Sequence, residues 1–149
     1  MLVALRKASE DDAEDLLQML CEQHSEATVK HGNIDGEKAL GNIKRTIERG
    51  ASYIAETEAG MVGSIGFLVS SDWWSQEKHL ADMWFYVRPA YRKSRAAHLL
   101  FRAYSETAAS MELPVKAGHV DGADVDRKDK FFERFGLVRA GSIFMEGKA

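Results

Sequence analysis

Five cations fall between Val87 and Ser105, at Arg88, Arg92, Lys93, Arg95 and Arg102, and no Asp or Glu interrupts them. The chain as a whole carries a net charge of -3, so this window is a local anion site on an acidic protein. Within it the run Val87-Arg88-Pro89-Ala90-Tyr91-Arg92-Lys93-Ser94-Arg95-Ala96-Ala97 passes from a strand-like segment through a proline to the start of a helix. A helix N-terminus offers unpaired backbone N–H groups and the positive end of the dipole, a setting that suits a diphosphate. Small residues there let such a group approach the backbone. Arg92, Lys93 and Arg95 add charge around it, arginine with a fork suited to bidentate contacts. A basic stretch can also contact nucleic acid, but the acidic total and the compact loop setting weigh against that partner.

Other reactive residue types give less. Cys21 is the only cysteine, which precludes an internal disulfide and suits a reducing compartment. It lies beside the apolar stripe of a helix and reads as a core residue rather than a nucleophile. His24, His31, His79, His98 and His119 show no metal-ligand spacing, so no metal is expected. His79 and His119 stay open as proton relays.

These residues need a scaffold, and the hydrophobic pattern outlines one. Residues 2 to 8 read as a strand. Ser9-Glu10-Asp11-Asp12 then supplies a capping hydroxyl with an acid three residues on, opening a helix with Ala13, Leu16, Leu17 and Leu20 on its apolar stripe. A second helix is predicted over 35–49, with Leu40, Ile43 and Ile47 inward and Gly50 as its stop. Residues 51–57 and 61–70 form a predicted hairpin about Glu58-Ala59-Gly60, and an aromatic strand runs from Leu80 to Arg88, where Pro89 closes it. The longest helix signal starts near Ser94 and ends before Pro114, with Ala96, Leu100, Ala103, Tyr104, Ala108 and Met111 on one side. Residues 115–120 are a further strand, 127–135 a short helix, and 137–146 one or two closing strands around Gly141.

The order β-α-α-β-β-β-α-β-α-β predicts an α+β or mixed α/β fold, helices packed on a sheet. At 149 residues, 45% of them hydrophobic, one domain over 1–149 is expected, large enough to bury a core without staples. The N-terminal apolar run is too short for a signal peptide, and no stretch approaches a membrane span, so the expected location is the cytoplasm.

The loop resembles the acetyl-CoA loop of the GNAT superfamily of N-acetyltransferases, V-x-P-x-x-R/Q-x-x-G-x-G/A, which Val87, Pro89, Arg92 and Ala97 match in spacing. Phe131-Phe132-Glu133-Arg134-Phe135-Gly136-Leu137 is similar to the family's F-Y-E-K-L-G-F signature. With the element order, the likeness covers nearly the whole chain. It implies a mostly antiparallel sheet of six to seven strands with about four helices. It also implies acetyl-CoA bound by Tyr86, Val87, Arg92, Lys93, Ser94, Arg95, Ala96, Ala97, Lys128 and Phe132. The partner would be an amine of a small molecule or protein, with a homodimer as one form of assembly.

The reaction so implied is direct attack of a neutral amine on a thioester in a ternary complex. Its oxyanion would take a backbone N–H near Tyr86 or Val87, and its amine proton would pass to a base, for which Asp82 is the candidate. A structural hydrogen bond is the alternative role for Asp82. The family often protonates the leaving thiolate with the tyrosine of its F-Y signature. This chain has Phe132 there, leaving Tyr86, Tyr91, Tyr104, water or no donor. Arg95 stands where the family has its first glycine. These two departures keep a second reading open, a catalytically inactive CoA-binding or interaction module of the same fold. Trp73 and Trp74 are candidates for the acceptor pocket, or one of them for capping the core.

Overall fold

The computed structural model describes residues 2–147. β1 (Ala4–Lys7) runs through a 3-10 turn at Glu10–Asp12 into α1 (Ala13–Glu26), followed by α2 (Gly36–Arg49). β2 (Ala51–Thr57), β3 (Gly60–Ser71) and β4 (Lys78–Val87) come next, then α3 (Ala96–Ser110), β5 (Val115–Lys116) and α4 (Val125–Arg134). The strands lie in chain order in one sheet, antiparallel except for the parallel pair β4–β5. No helix among the described residues is long and apolar enough to cross a membrane.

Local chemistry explains the entries into the helices. The Asp12 carboxylate accepts the Ser9 amide at 2.8 Å, the acidic half of the anticipated capping box, and Asp35 accepts the Lys38 amide at 3.0 Å to cap α2. α1 buries Ala13, Leu16 and Met19, with Leu17 and Leu20 flanking them. Cys21 is exposed, contrary to the expected core position, because one more residue carries it about 100° round the helix from Leu20.

Two apolar layers flank the sheet. α1 and α2 pack with Ile54, Trp84 and Tyr86 on one face, while α3 packs with Ile65, Phe67, Leu80 and Val87 on the other, where Phe131, Phe132 and Phe135 of the α4 region close over it. Phe101 is fully buried among Phe85, Tyr104, Phe131, Phe132 and Phe135. Burying a side chain of this size contributes roughly 1.5–3 kcal/mol.

A bulge in β4 decides which way its side chains point. The register passes from Gly66↔Trp84 to Phe67↔Asp82, so Met83 faces no partner on β3. Plain alternation would put Leu80 on the face of Trp84. With the extra residue, Leu80 joins Phe85 and Val87 on the α3 face, and Asp82, two residues along, turns the same way.

The sheet has five strands, fewer than the six to seven expected, and among the described residues 137–147 none forms a strand. A closing strand needs an edge to pair with, and the last edge is short: β5 has two residues instead of the expected six, pairing only Leu80↔Val115 and Ala81↔Lys116. Tyr104 straps this short rung. Its hydroxyl lies 2.7 Å from the Leu80 carbonyl and 2.6 Å from that of Lys116, and shares its proton between them.

Candidate active site

Beyond Lys116 the chain leaves β4, and a cavity of about 750 Å³ opens between them. Its wall includes Asp82, Phe85, Tyr86 and Val87 of β4, Arg92 and Ala97 beyond it, Gly118 to Asp121 after β5, and Lys128 and Phe132 of α4. Gln23, His24 and Glu26 of α1 line the opposite side.

The backbone of β4 is turned usefully. The Arg88 amide donates to Val62 across β3 at 2.8 Å, and successive amides in a strand point to opposite edges. The Val87 amide therefore faces the opening, whereas that of Tyr86 faces β3. The Val87 carbonyl on the same open edge is taken by Arg92 Nε at 3.0 Å.

The cations of the basic window divide sharply. Arg88 forms a two-pronged pair with Glu22, at 2.9 and 3.1 Å, and also donates to the Met61 carbonyl. Arg92 pairs with Glu26 at 2.6 Å and its guanidinium lies 5.5 Å over the Tyr86 ring, while the Tyr86 hydroxyl donates to the other Glu26 oxygen at 2.7 Å. Burial, then Glu26, pushes the Tyr86 hydroxyl above its ordinary range, so it stays protonated. Arg102 pairs with Glu106. Only Lys93 and Arg95 of the five form no ion pair among the described residues, and both are exposed.

Beside them the start of α3 keeps open donors. Ser94 Oγ donates to the Tyr91 carbonyl and accepts the Ala96 amide at 3.2 Å, while the amides of Arg95, Ala97 and His98 have no partner among the described residues. Arg95 has φ -80° and ψ 0°, an ordinary right-handed conformation, so the glycine of the motif is not required by backbone geometry here.

Asp82 is half-buried in the wall, and burial pushes its carboxyl up from 3.8 to about 6 against the opposing pull of its own amide and that of Gly118. Glu26, Asp121 and Asp124, the other lining carboxylates, each pair with a cation, Arg92, Lys128 and Arg127 respectively; Asp82 pairs with none among the described residues.

The cavity thus brings together Asp82, Tyr86, Val87, Arg92, Ala97, Lys128 and Phe132. Lys93, Ser94 and Arg95 do not line it but lie in the loop before α3, and Ala96, the first residue of α3, is wholly buried. Trp73 and Trp74 do not line it: they are 92% and 68% exposed in the β3–β4 turn. That turn enters β4 at Lys78, about 30 Å along the strand from Val87 at ~3.3 Å per residue. Tyr104 is fully buried at the β4–β5 rung.

The acidic partners on α1 escaped sequence reading because they lie 66 residues from their arginines; the shared spacing of four, Glu22 and Glu26 against Arg88 and Arg92, was the available signal. Glu26→Gln removes the charge facing Arg92 and weakens the acceptor of Tyr86. Because these groups are a quarter to a third exposed, the expected loss is only about 1–2 kcal/mol. Urea unfolding at pH 7 measures it, and an unchanged midpoint would mean that the clamp does not hold the loop.

A sequence profile of the acetyltransferase (GNAT) family matches residues 13–137. No curated protein sequence matches significantly. Among solved structures, a possible acetyltransferase from Clostridium difficile 630 is 14% identical with a TM-score of 0.73, over 100% of this chain and 99% of that one. AAC(6')-Iy, in complex with the bisubstrate analog CoA-S-monomethyl-acetylneamine, is 12% identical with a TM-score of 0.74, again over 100% and 99%. Glucosamine-6-phosphate N-acetyltransferase from Arabidopsis thaliana is 15% identical with a TM-score of 0.70 over 99% of both chains. At these identities the structures share the fold, and the family profile, spanning most of the chain together with the loop and the parted strands, shows that the chain belongs to the acetyltransferase (GNAT) family.

Proposed function

We propose that this chain transfers the acetyl group of acetyl-CoA to the amine of a small molecule or protein, by direct attack with both substrates bound. The observation that carries the reading is Asp82, a carboxylate with no ion-pair partner among the described residues, in the wall of the cavity where β4 and β5 part, its carboxyl raised by burial to about 6. Acetyl-CoA supplies an acyl group already activated as a thioester.

The chain's own groups divide the work. Lys93, Arg95 and the open amides of Arg95, Ala97 and His98 suit a diphosphate at the start of α3. Val87, Ala97 and Phe132 give the cavity walls for an extended apolar arm. The Val87 amide, on the open edge of β4, is the donor for a developing oxyanion, and the Arg92 clamp on the Val87 carbonyl fixes that peptide. Asp82 takes the proton from the attacking amine. The acceptor approaches from the α1 side, past Gln23, His24, Ile34 and Met83. The aminoglycoside analog and amino sugar named for two structural neighbours make small polyamines and amino sugars the first acceptors to assay.

Calorimetric titration with acetyl-CoA is the test. Saturable binding is expected, weakened about tenfold by Lys93→Ala with Arg95→Ala, since an exposed charge pair is worth up to about 1 kcal/mol and the two together about 1–2 kcal/mol. Arg102→Ala, whose cation pairs with Glu106, should leave affinity unchanged. Absence of saturable binding to the unaltered protein would remove the reading.

A further inference from the structure

The reaction proposed above leaves one proton without a donor, the one that the departing thiolate takes up. A thiol of pKa about 8.5 leaves more readily when an acid stands beside the sulfur. Phe132, on the cavity wall, has no proton to give. The ring packed against it does: His119 stacks on Phe132 at 6.1 Å between centroids and 10° between planes, and both line the cavity. His119 Nε2 is bonded to Asp129 Oδ1 of α4 at 2.7 Å, which leaves Nδ1 without a partner among the described residues. Gly118, the residue before His119, lines the same cavity as Asp82, so the imidazole follows directly on a residue of the wall that holds the proposed base.

We propose that His119, oriented through Nε2 by Asp129, is the acid that protonates the departing thiolate. It rests on the acetyl-transfer reading. The balance is complete: the amine nitrogen forms a bond to the acyl carbon and gives a proton to Asp82, the carbon–sulfur bond breaks with its electron pair going to sulfur, and the sulfur takes a proton from His119 Nδ1. Solvent then returns the Asp82 proton to the imidazole.

Asp129 bonds the imidazole, and Asp121, whose carboxylate pairs with Lys128, lines the same cavity. Of the cations nearby, Lys128 pairs with Asp121 at 2.7 Å and Arg139 lies 4.0 Å from the second Asp129 oxygen, while Lys130 and Arg134 of α4 also line the cavity. Asp82 on β4 adds a further negative group across the opening. Asp129 acts on the sulfur only through His119 and is a positioning residue.

The test needs no knowledge of the acceptor. CoA in its free thiol form is bound to the protein, and its thiolate is titrated by ultraviolet absorbance in the unaltered chain, His119→Gln and Asp129→Asn. An imidazolium beside the sulfur should lower the bound thiol's pKa by about one, tenfold in thiolate fraction below it. His119→Gln should return it to that of free CoA, and Asp129→Asn should return it part of the way, with CoA affinity within about threefold throughout. Histidine nitrogen NMR should find the His119 proton on Nε2 in the neutral form, a preference lost in Asp129→Asn. Adding Phe132→Tyr to His119→Gln should restore part of the lowering, because a hydroxyl then replaces the lost donor on the stacked ring. Equal thiol pKa values in the unaltered chain and His119→Gln, with CoA bound in both, would overturn the role of His119 and leave the cofactor reading standing. Failure of the unaltered chain to bind CoA would overturn both.

Discussion

Asp82→Asn should lower kcat/KM by about 10²–10⁴-fold, the usual contribution of a positioned general base, and should at the same time make the folded protein more stable at pH 8. The two effects share one cause. The carboxyl titrates at about 6 in the folded chain against 3.8 unexposed to burial, so the folded state binds its proton more tightly than the unfolded state. Stability is therefore unpenalised below pH 4, falls as pH rises from 4 to 6, and carries the full penalty above 6. At 1.36 kcal/mol for each unit of pKa, the penalty relieved by asparagine is at most about 3 kcal/mol. The acid limb of the kcat/KM profile near pH 6 should also vanish in the variant. If Asp82 served only as a structural acceptor for the Gly118 amide, the variant would keep its activity and lose stability at every pH, and that outcome would reject the base.

The second large effect concerns folding. A Cβ on Gly66 would stand 2.4–2.6 Å from three atoms of the Trp84 ring. That ring cannot swing away freely, because its Nε1 donates to Ser64 Oγ at 3.0 Å in a buried site, and Ser64 Oγ in turn donates to the Tyr53 carbonyl at 2.7 Å. Gly66→Val should improve strand propensity by less than about 1 kcal/mol. Against this stand roughly 1–3 kcal/mol of overpacking and 1–3 kcal/mol for an unpaired buried indole. A net loss of about 2–4 kcal/mol, or ~6–12 °C in Tm, is expected by calorimetry. Combining it with Trp84→Leu should be less damaging than the sum of the single changes, since the clash is then absent. Additivity would show that Trp84 does not confine position 66.

Sequence pattern located what depends on near neighbours. The β2 span, the Ser9–Asp12 cap and the start of the anion loop all follow from residues within a few positions of one another. Features that need a distant partner were less visible. One or two closing strands are expected over 137–146 around Gly141, but strand formation depends on an edge to pair with, and β5 ends at Lys116. The burial of Met19 and Phe101, absent from the expected stripes, reflects contacts with other elements. At the site, the loop was legible as cationic, but not that Arg88 and Arg92 answer to α1 while Lys93 and Arg95 stay open. The His119–Asp129 pair, ten residues apart across a loop and a helix, carried no local signature.

The paired arginines also work as a vernier. Glu22 and Glu26 repeat every four residues on α1, and so do Arg88 and Arg92 on the segment they meet. Sliding α1 by one turn, about 6 Å at 1.5 Å per residue, would still bring one glutamate opposite one arginine but strand the other two charges. Two teeth therefore index a single position where one would tolerate several. Each pair alone is worth little in energy, yet together they set how far Gln23 and His24 reach over the cavity. Interchanging the charges of both pairs at once should keep that index, whereas reversing one pair's glutamate alone should blur it.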